Sequence, residues 1–335
     1  MSGMISVIIV DFNSGEMLHK CLQHLKEQSY KNFEVIIVNN GASNYTAADF
    51  ESLGLDLRLK SPGENLGFAA GNNLAVQQAK GDWLAFLNPD AYAASNWLEE
   101  LVAGVERYPD VDAFGSTQIN ALNGVQLDGA GDVYHILGIA YRGYFGRHIA
   151  ELPEEGEVFA ACGAAAFYKA KTFRALGGFE ERFFCYGEDV DLGYRLRLRG
   201  GRTVQLKDAV VRHEGSGISG RHSDFTIYHG HRNRIWFAYK NTPFWLYWPF
   251  LPLHILANLY LLIRAPFTGI TKPYIKALIH GYGGLPTFKA DRQALQKNRA
   301  VSYAQLSRAI EWSPYKISTR KGKNWLYKQP NKQNE

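Results

Sequence analysis

Cysteine is scarce in this 335-residue chain: Cys21, Cys162 and Cys185 are the whole supply. Three thiols so far apart form neither a disulfide framework nor a metal-ligand spacing, and a reducing cytoplasm is the compartment they suit. The first ten residues carry no basic leader, and their apolar run is too short for a signal peptide, so they read as a first buried strand. No glycine-rich turn is followed by Gly-Lys-Ser/Thr, which excludes a Walker-type phosphate loop. No nucleic-acid-binding motif occurs. Formal charge is missing from residues 243–263, PFWLYWPFLPLHILANLYLLI, a stretch long enough to cross a bilayer.

What is present suits a folded protein: 46% hydrophobic, 13% aromatic and 21% charged residues exclude a disordered chain. The length fits one large α/β domain with extensions. The net charge of +5 is unevenly spread. Residues 264–335 carry 14 Lys and Arg against 3 Asp and Glu, leaving 23 against 29 for the rest. Such a basic tail could meet nucleic acid or anionic lipid, and the uncharged stretch before it favours lipid. Within that stretch Pro243, Pro249, Pro252, His254 and Asn258 count against a simple span, since such residues need partners in lipid. Trp245, Tyr247 and Trp248 are residue types of the membrane interface. A re-entrant or interfacial helix pair, a true span and a hairpin buried in a soluble core all remain open.

The first hundred residues alternate strand and helix. Apolar runs at 5–10, 33–38 and 83–87 read as strands buried on both faces. Met17, Leu18, Cys21, Leu22 and Leu25 have helical spacing, a helix is expected near 69–79, and Ser95 is placed to cap a helix running to Arg107. This rhythm predicts a mostly parallel sheet with helices on both faces. Residues 117–157 lack periodicity and read as loops and short strands over the sheet edge. A further helix is expected near 190–199, stopped by Gly200-Gly201.

Four polar clusters could carry chemistry. Asp11-Phe12-Asn13 and Asn39-Asn40-Gly41 close the first two strands, where α/β sheets bind ligands, although Asn and Gly also suit ordinary turns. Gly63 to Asn73, with Asn65, Gly67, Phe68, Gly71 and Asn72, opens a helix whose N-terminus favours phosphate. Asn88-Pro89-Asp90 follows the third apolar strand, where a carboxylate can hold Mg²⁺ or Mn²⁺ beside a diphosphate. Glu188, Asp189 and Asp191 crowd three acids into four residues, with His213 downstream. Burial would raise some of their pKa values and suit one as a general base, while the helix dipole alone also favours acids there.

In this order the clusters resemble family 2 glycosyltransferases of the GT-A fold, closest to their bacterial rhamnosyltransferase-like and galactofuranosyltransferase-like branch, from about Ile5 to about Ser219. The most specific parts are Asn65-x-Gly67-Phe68-Ala69-x-Gly71-x-Asn73, Leu87-Asn88-Pro89-Asp90, Gly177-Gly178-Phe179-Glu180-Glu181 and Glu188-Asp189-Val190-Asp191-Leu192. The resemblance implies a GT-A-type, Rossmann-like α/β catalytic domain over 1–235. Its nucleotide-sugar part would be 1–116 and its acceptor part 117–235, with hydrophobic membrane-associating helices over 236–285 and a basic tail over 286–335. It implies that Asp189 is the base, with Glu188 and Asp191 shaping its field. Asp11, Asn13, Asn39, Asn65, Gly67, Phe68, Gly71, Asn72, Asn88, Asp90 and Gly163 would meet the donor, Asn39 at the nucleotide base. Asp90 and His213 would hold Mg²⁺ or Mn²⁺. Asn39 and Asn88 stand where the family usually has acids.

The implied reaction is inverting, metal-dependent transfer of a sugar, first L-rhamnose from dTDP-rhamnose, to a polyprenyl-diphosphate-linked oligosaccharide of a bacterial surface polysaccharide. The enzyme would sit on the cytoplasmic face of the plasma membrane, peripheral or monotopic, against its anionic surface. A nucleotidyltransferase is a second reading, weakened by the absence of Lys and Arg from residues 11–16. A non-catalytic sugar-binding or membrane scaffold is a third. A processive synthase would need several strong transmembrane helices and Gln-x-x-Arg-Trp, and neither is found.

Overall fold

The computed structural model describes residues 3–215, 223–323 and 325. The chain opens with β1 (Ile5–Asp11), α1 (Glu16–Lys26), β2 (Phe33–Asn39), β3 (Leu57–Lys60), α2 (Gly67–Val76) and β4 (Trp83–Leu87). Strands β3, β2, β1 and β4 lie side by side and parallel. Their continuous apolar runs have a direct cause. In β1, Ile5, Val7 and Ile9 face one core while Ile8 and Val10 face the other. Helix α1 covers the first face with Leu18, Cys21, Leu22 and Leu25; α2 covers the second with Ala69, Ala75 and Val76.

After β5 (Ala91–Ala93) and α3 (Trp97–Arg107), the chain forms β6 (Ala113–Asn120), β7 (Leu127–Gly129), the hairpin β8 (Asp132–His135) and β9 (Ile139–Arg142), and β10 (Gly156–Glu157). Then follow β11 (Ala165–Lys169), α4 (Ala170–Ala175), α5 (Glu188–Leu198) and β12 (Thr203–His213). The sheet order is β10-β12-β6-β11-β4-β1-β2-β3. Strand β11 runs antiparallel between β4 and β6, and β12 is parallel to β6. The result is a mixed α/β fold with a mostly parallel centre. Because β4 returns to the other side of β1, the carboxyl ends of β1 and β4 open a crevice at the point where strand order reverses.

Four expectations need correction. Asn96, not Ser95, is the cap residue of α3, and it makes no side-chain capping bond. Residues 117–120 are not edge structure: they finish β6, an interior strand between β11 and β12. The expected boundary at 235/236 falls inside one continuous helix, α6 (Asp224–Asn241). The segment expected as a basic tail is folded as far as it is described. After α7 (Phe244–Tyr247), α8 (Leu251–Thr268) and α9 (Thr271–Gly283) come α10 (Lys289–Lys297), α11 (Tyr303–Ala309) and α12 (Pro314–Thr319). Phe288, Leu306 and Ile310 join Tyr134, Phe159, Tyr194 and Trp236 in a third core beside the hairpin, since their apolar side chains find cover there. Residues 324 and 326–335 of that segment, and Ser219 at the expected end of the resemblance, lie outside the described residues.

Candidate active site

A cleft of about 880 Å³ opens at the carboxyl edge of the sheet. Among the expected residues it is lined by Asn65, Gly67, Phe68, Asn88, Asp90, Gly163, Glu188, Asp189 and His213. They come together because β1, β2, β4, β6 and β12 end on the same edge, while the turn before the antiparallel β11 supplies Gly163 there.

The strand ends build the first wall. His213 closes β12, opposite Ala91 of β5 in register, which brings its ring beside Asp90. Its Nδ1 lies 2.7 Å from Asp128 Oδ2, and its Nε2 lies 3.2 Å from Asp90 Oδ1. Arg142 in turn pairs with Asp128. Burial works against the imidazolium, but Asp128 and Asp90 outweigh it and hold the His213 pKa up at about 9. Burial likewise opposes the Asp90 carboxylate, and the neighbouring His213 imidazolium brings its pKa below the ordinary value.

The second wall is the start of α5. The Asp189 carboxylate accepts from Gly163 N at 2.9 Å and from Val190 N at 2.8 Å. Burial pushes its pKa up, and those amides only partly offset the rise. Glu188, deeper and beside Asp189, is raised well above the usual range by burial and by its neighbour's charge. The loop leading to these acids is strained. Phe184 and Tyr186 have φ of 65° and 72°, left-handed values that cost on the order of 1–3 kcal/mol each. Asn233 of α6 holds the loop, its Nδ2 lying 2.9, 2.8 and 2.7 Å from the carbonyls of Phe183, Cys185 and Tyr186. Gly67 is the counterpart on α2. Its φ is +78°, and a Cβ there would lie 2.6 Å from the Phe184 carbonyl.

Other expected residues are placed differently. Asp191 does not line the cleft; it is fully buried among Arg195, Lys240 and Asn241, with the Lys240 and Arg195 charges lowering its pKa against burial. Asp11 is occupied by the Ser14 and Tyr45 hydroxyls. Asn39 bonds Ser43 O and Gly41 N, and Asn13 accepts from Ala42 N. These three shape the loop after β2, and none lines the cleft. Asn72 bonds Phe68 O, and Gly71 packs where a Cβ would come within 2.9 Å of Val10. The neighbouring Asn40 does line the cleft and ties Asn65, Leu66 and Gly67 to β2.

Asp128, Asp132, Arg142, Asn233 and Arg234 were not expected. Asp128 and Asp132 flank Gly129-Ala130-Gly131, a faint signal inside a stretch without periodicity. Nothing local marks the other three.

The cation that the resemblance implies can be tested on the donor set. Asp90 Oδ1 is buried and completes no hydrogen bond despite the nearby imidazole. His213 Nδ1 faces a carboxylate, the arrangement expected behind a metal-bound histidine, and Nε2 would ligate a cation on giving up the proton it holds beside Asp90. A buried carboxylate oxygen without an aligned hydrogen bond, beside an imidazole nitrogen, fits Mg²⁺ or Mn²⁺ once the imidazole proton is displaced. A second group, Asp132, Cys162 and Asp189, has ligand atoms within 4.8 Å of one another. Burial pushes the Cys162 thiol far up, and a protonated thiol is a poor partner for a hard cation. The Asp90–His213 pair is the better fit.

The model of glycosyl transferase family 2 matches residues 6–177. The O-antigen biosynthesis protein RfbC of Myxococcus xanthus is 30% identical over 63% of this chain, a match covering 17% of that protein's length. The N-acetylglucosaminyl-diphospho-decaprenol L-rhamnosyltransferase of Mycobacterium tuberculosis is 26% identical over 73% of this chain and 87% of its own. A mannosyltransferase of Pyrobaculum calidifontis, solved with GDP-Man and Mn²⁺, superposes with a TM-score of 0.52 at 18% identity, over 92% of this chain and 87% of that one.

Proposed function

This chain belongs to glycosyl transferase family 2, and we propose that it is an inverting, metal-dependent transferase moving a sugar from a nucleotide donor to a polyprenyl-diphosphate-linked oligosaccharide. L-rhamnose from dTDP-rhamnose is the first donor to test, in keeping with the name of the mycobacterial relative. Family membership sets the nucleotidyltransferase and scaffold readings aside. The observation that carries the mechanism is the pairing, in one cleft, of a base-like Asp189 with the Asp90–His213 pair.

Asp189 is a carboxylate whose pKa is raised, which strengthens it as a proton acceptor. It takes the proton of an acceptor hydroxyl while that oxygen forms a bond to the anomeric carbon. The bond from the anomeric carbon to the diphosphate oxygen breaks with its electron pair leaving on the nucleoside diphosphate. Entry and departure from opposite faces invert the configuration. A divalent cation bound by Asp90 and His213 would neutralise charge on the leaving diphosphate. Asp128, with Arg142 behind it, orients His213 for that role. A cleft of about 880 Å³ is within the ~300–1,000 Å³ range of small-molecule sites. The test is nucleoside diphosphate release from a panel of nucleotide sugars, with Mg²⁺ or Mn²⁺ and then EDTA, with a lipid-linked acceptor supplied. Metal-dependent release from one donor supports the reading; release that EDTA does not touch removes the cation from it.

Loop strain predicts a second outcome. Asn233→Ala frees three carbonyls whose loss is worth roughly 1–3 kcal/mol, so kcat should drop about tenfold or more while donor Kd moves little. An unchanged kcat would mean that the loop holds its own shape.

The same protein carries an apolar face suited to a membrane. Leu256, Leu259, Tyr260, Ile263 and Phe267 recur along α8 and are exposed, Phe267 to 87%. Trp245 of α7 and Ile275 and Ile279 of α9 are exposed as well. The opposite face of α8 is pinned to the catalytic body. His254 Nε2 lies 2.7 Å from Ile136 O, and Asn258 Nδ2 donates to Tyr282 at 2.9 Å. By length and composition this one helix could cross a membrane, but a helix held along one side is suited to lie in the interface. Exposed Arg264, Lys272 and Lys276 beside the patch complement anionic lipid. Leu256→Asp with Ile263→Asp should cut co-sedimentation with vesicles of phosphatidylglycerol and phosphatidylethanolamine at least tenfold, since each apolar side chain contributes roughly 1.5–3 kcal/mol. Equal co-sedimentation by the variant would exclude α8 as the docking face.

A further inference from the structure

Only two Lys or Arg residues line the described part of the cleft, Arg142 and Arg234. Arg142 spends its charge on Asp128. Arg234, on α6, is 9% exposed and has no carboxylate partner among the described residues. Its guanidinium donates to Asn258 Oδ1 of α8, and its Nε is buried without a hydrogen-bond partner among the described residues. A buried arginine without a counter-ion costs several kcal/mol, an expense that is ordinarily offset by a carboxylate or by a bound anion. Burial lowers the Arg234 pKa, yet an arginine stays charged in any case.

Its position narrows the identity of the anion. Gly230, Arg234 and Phe237 all line the cleft from one side of α6. A Cβ at Gly230 would meet nothing within 4 Å among the described residues, so α6 leaves room there one turn before Arg234. Arg234 also lines a small cavity between α6 and α8, with Leu137, Gly138, His254 and Asn258. It therefore stands where the cleft meets α8, whose far side is the exposed apolar face. The Asp90–His213 pair, suited to the donor's diphosphate, is on the strand ends.

We propose that Arg234 is the anion subsite for the acceptor, binding the diphosphate that joins its glycan to its lipid. The glycan would then extend toward Asp189 and the hydrocarbon chain toward the apolar face of α8. The inference rests on the lipid-linked acceptor reading above and adds the residue that recognises the linkage. A guanidinium suits this task because its planar donors match phosphate oxygens in pairs.

The test uses the full chain and farnesyl diphosphate as the probe, with dTDP and inorganic pyrophosphate as separate arms, all by titration calorimetry. Arg234→Gln should weaken farnesyl diphosphate by roughly 10- to 100-fold and leave dTDP within about twofold, as expected for loss of charge-assisted hydrogen bonds at one subsite. Arg234→Lys should recover part of the loss. Gly230→Leu fills open space on a helix, so folding is spared, and it should also weaken farnesyl diphosphate at least tenfold. Pyrophosphate should compete with farnesyl diphosphate in the wild type but not in Arg234→Gln. Equal farnesyl diphosphate binding by wild type, Arg234→Gln and Gly230→Leu would overturn the subsite, and so would a parallel loss of dTDP. A wild-type chain that ignores farnesyl diphosphate yet transfers sugar to a soluble acceptor would overturn the lipid-linked reading itself, and the subsite with it.

Discussion

Asp189→Asn should lower kcat by roughly 10²–10⁴-fold, the range for removing a positioned general base, while nucleotide-sugar Kd stays close to wild type. The asparagine keeps the shape but offers one oxygen where the carboxylate offers two, Oδ2 to Gly163 N and Oδ1 to Val190 N, so one of the two amide bonds is given up along with the charge. What is lost is the capacity to accept a proton. The wild-type pH profile gives an independent check. The pKa of Asp189 is raised by burial, so the base is lost by protonation as pH falls through a value above that of an ordinary aspartate. The acidic limb of kcat should therefore stand above the usual carboxylate range and vanish in the variant. Near-normal turnover by Asp189→Asn would remove it as the base and move attention to Glu188, whose pKa is raised further.

Asp90→Asn should be the other severe variant. Among the described residues Asp90 is the carboxylate beside His213 Nε2, and its Oδ1 is buried without an aligned hydrogen bond. Replacing that oxygen's charge should weaken Mn²⁺ binding and cost about 10²–10³-fold in kcat, the scale of removing one electrostatic contact to a leaving group. Asp128→Asn should act one step back. It leaves both proposed ligands present but loosens the His213 ring, and a metal-affinity loss of about 10–100-fold is expected. Mn²⁺ titration followed by electron paramagnetic resonance separates the two effects from chemistry. Unaltered Mn²⁺ affinity in Asp90→Asn would place the cation elsewhere, with Asp132, Cys162 and Asp189 the next group to test.

Much of this site is legible in the sequence itself. Asp90, Asp189, His213, Asn65, Gly67 and Phe68 were marked by short motifs at strand and helix ends, and all line one cleft. Asp11 and Asn39 carried the same kind of signal, and Asp11↔Asn39 do pair in register where β1 and β2 end. Their side chains, however, are consumed by the loop after β2. Asp191 was grouped with Asp189 because they are two apart. On a helix that spacing turns them to different sides, and Asp191 became the buried partner of Lys240.

What the sequence alone determined was the alternation of buried strands with amphipathic helices and the polar residues at their ends. These are local properties: strand burial demands an apolar run, and a sheet of parallel strands puts every following loop on one edge. What only the tertiary structure decided is how those residues are held and charged. Asp128 reaches His213 across 85 positions, and Asn233 reaches the loop before Asp189 across 47 to 50. Where α6 is packed, Arg234 meets no carboxylate among the described residues. Such contacts join elements brought together by burial of a third core, and no periodicity along the chain encodes them.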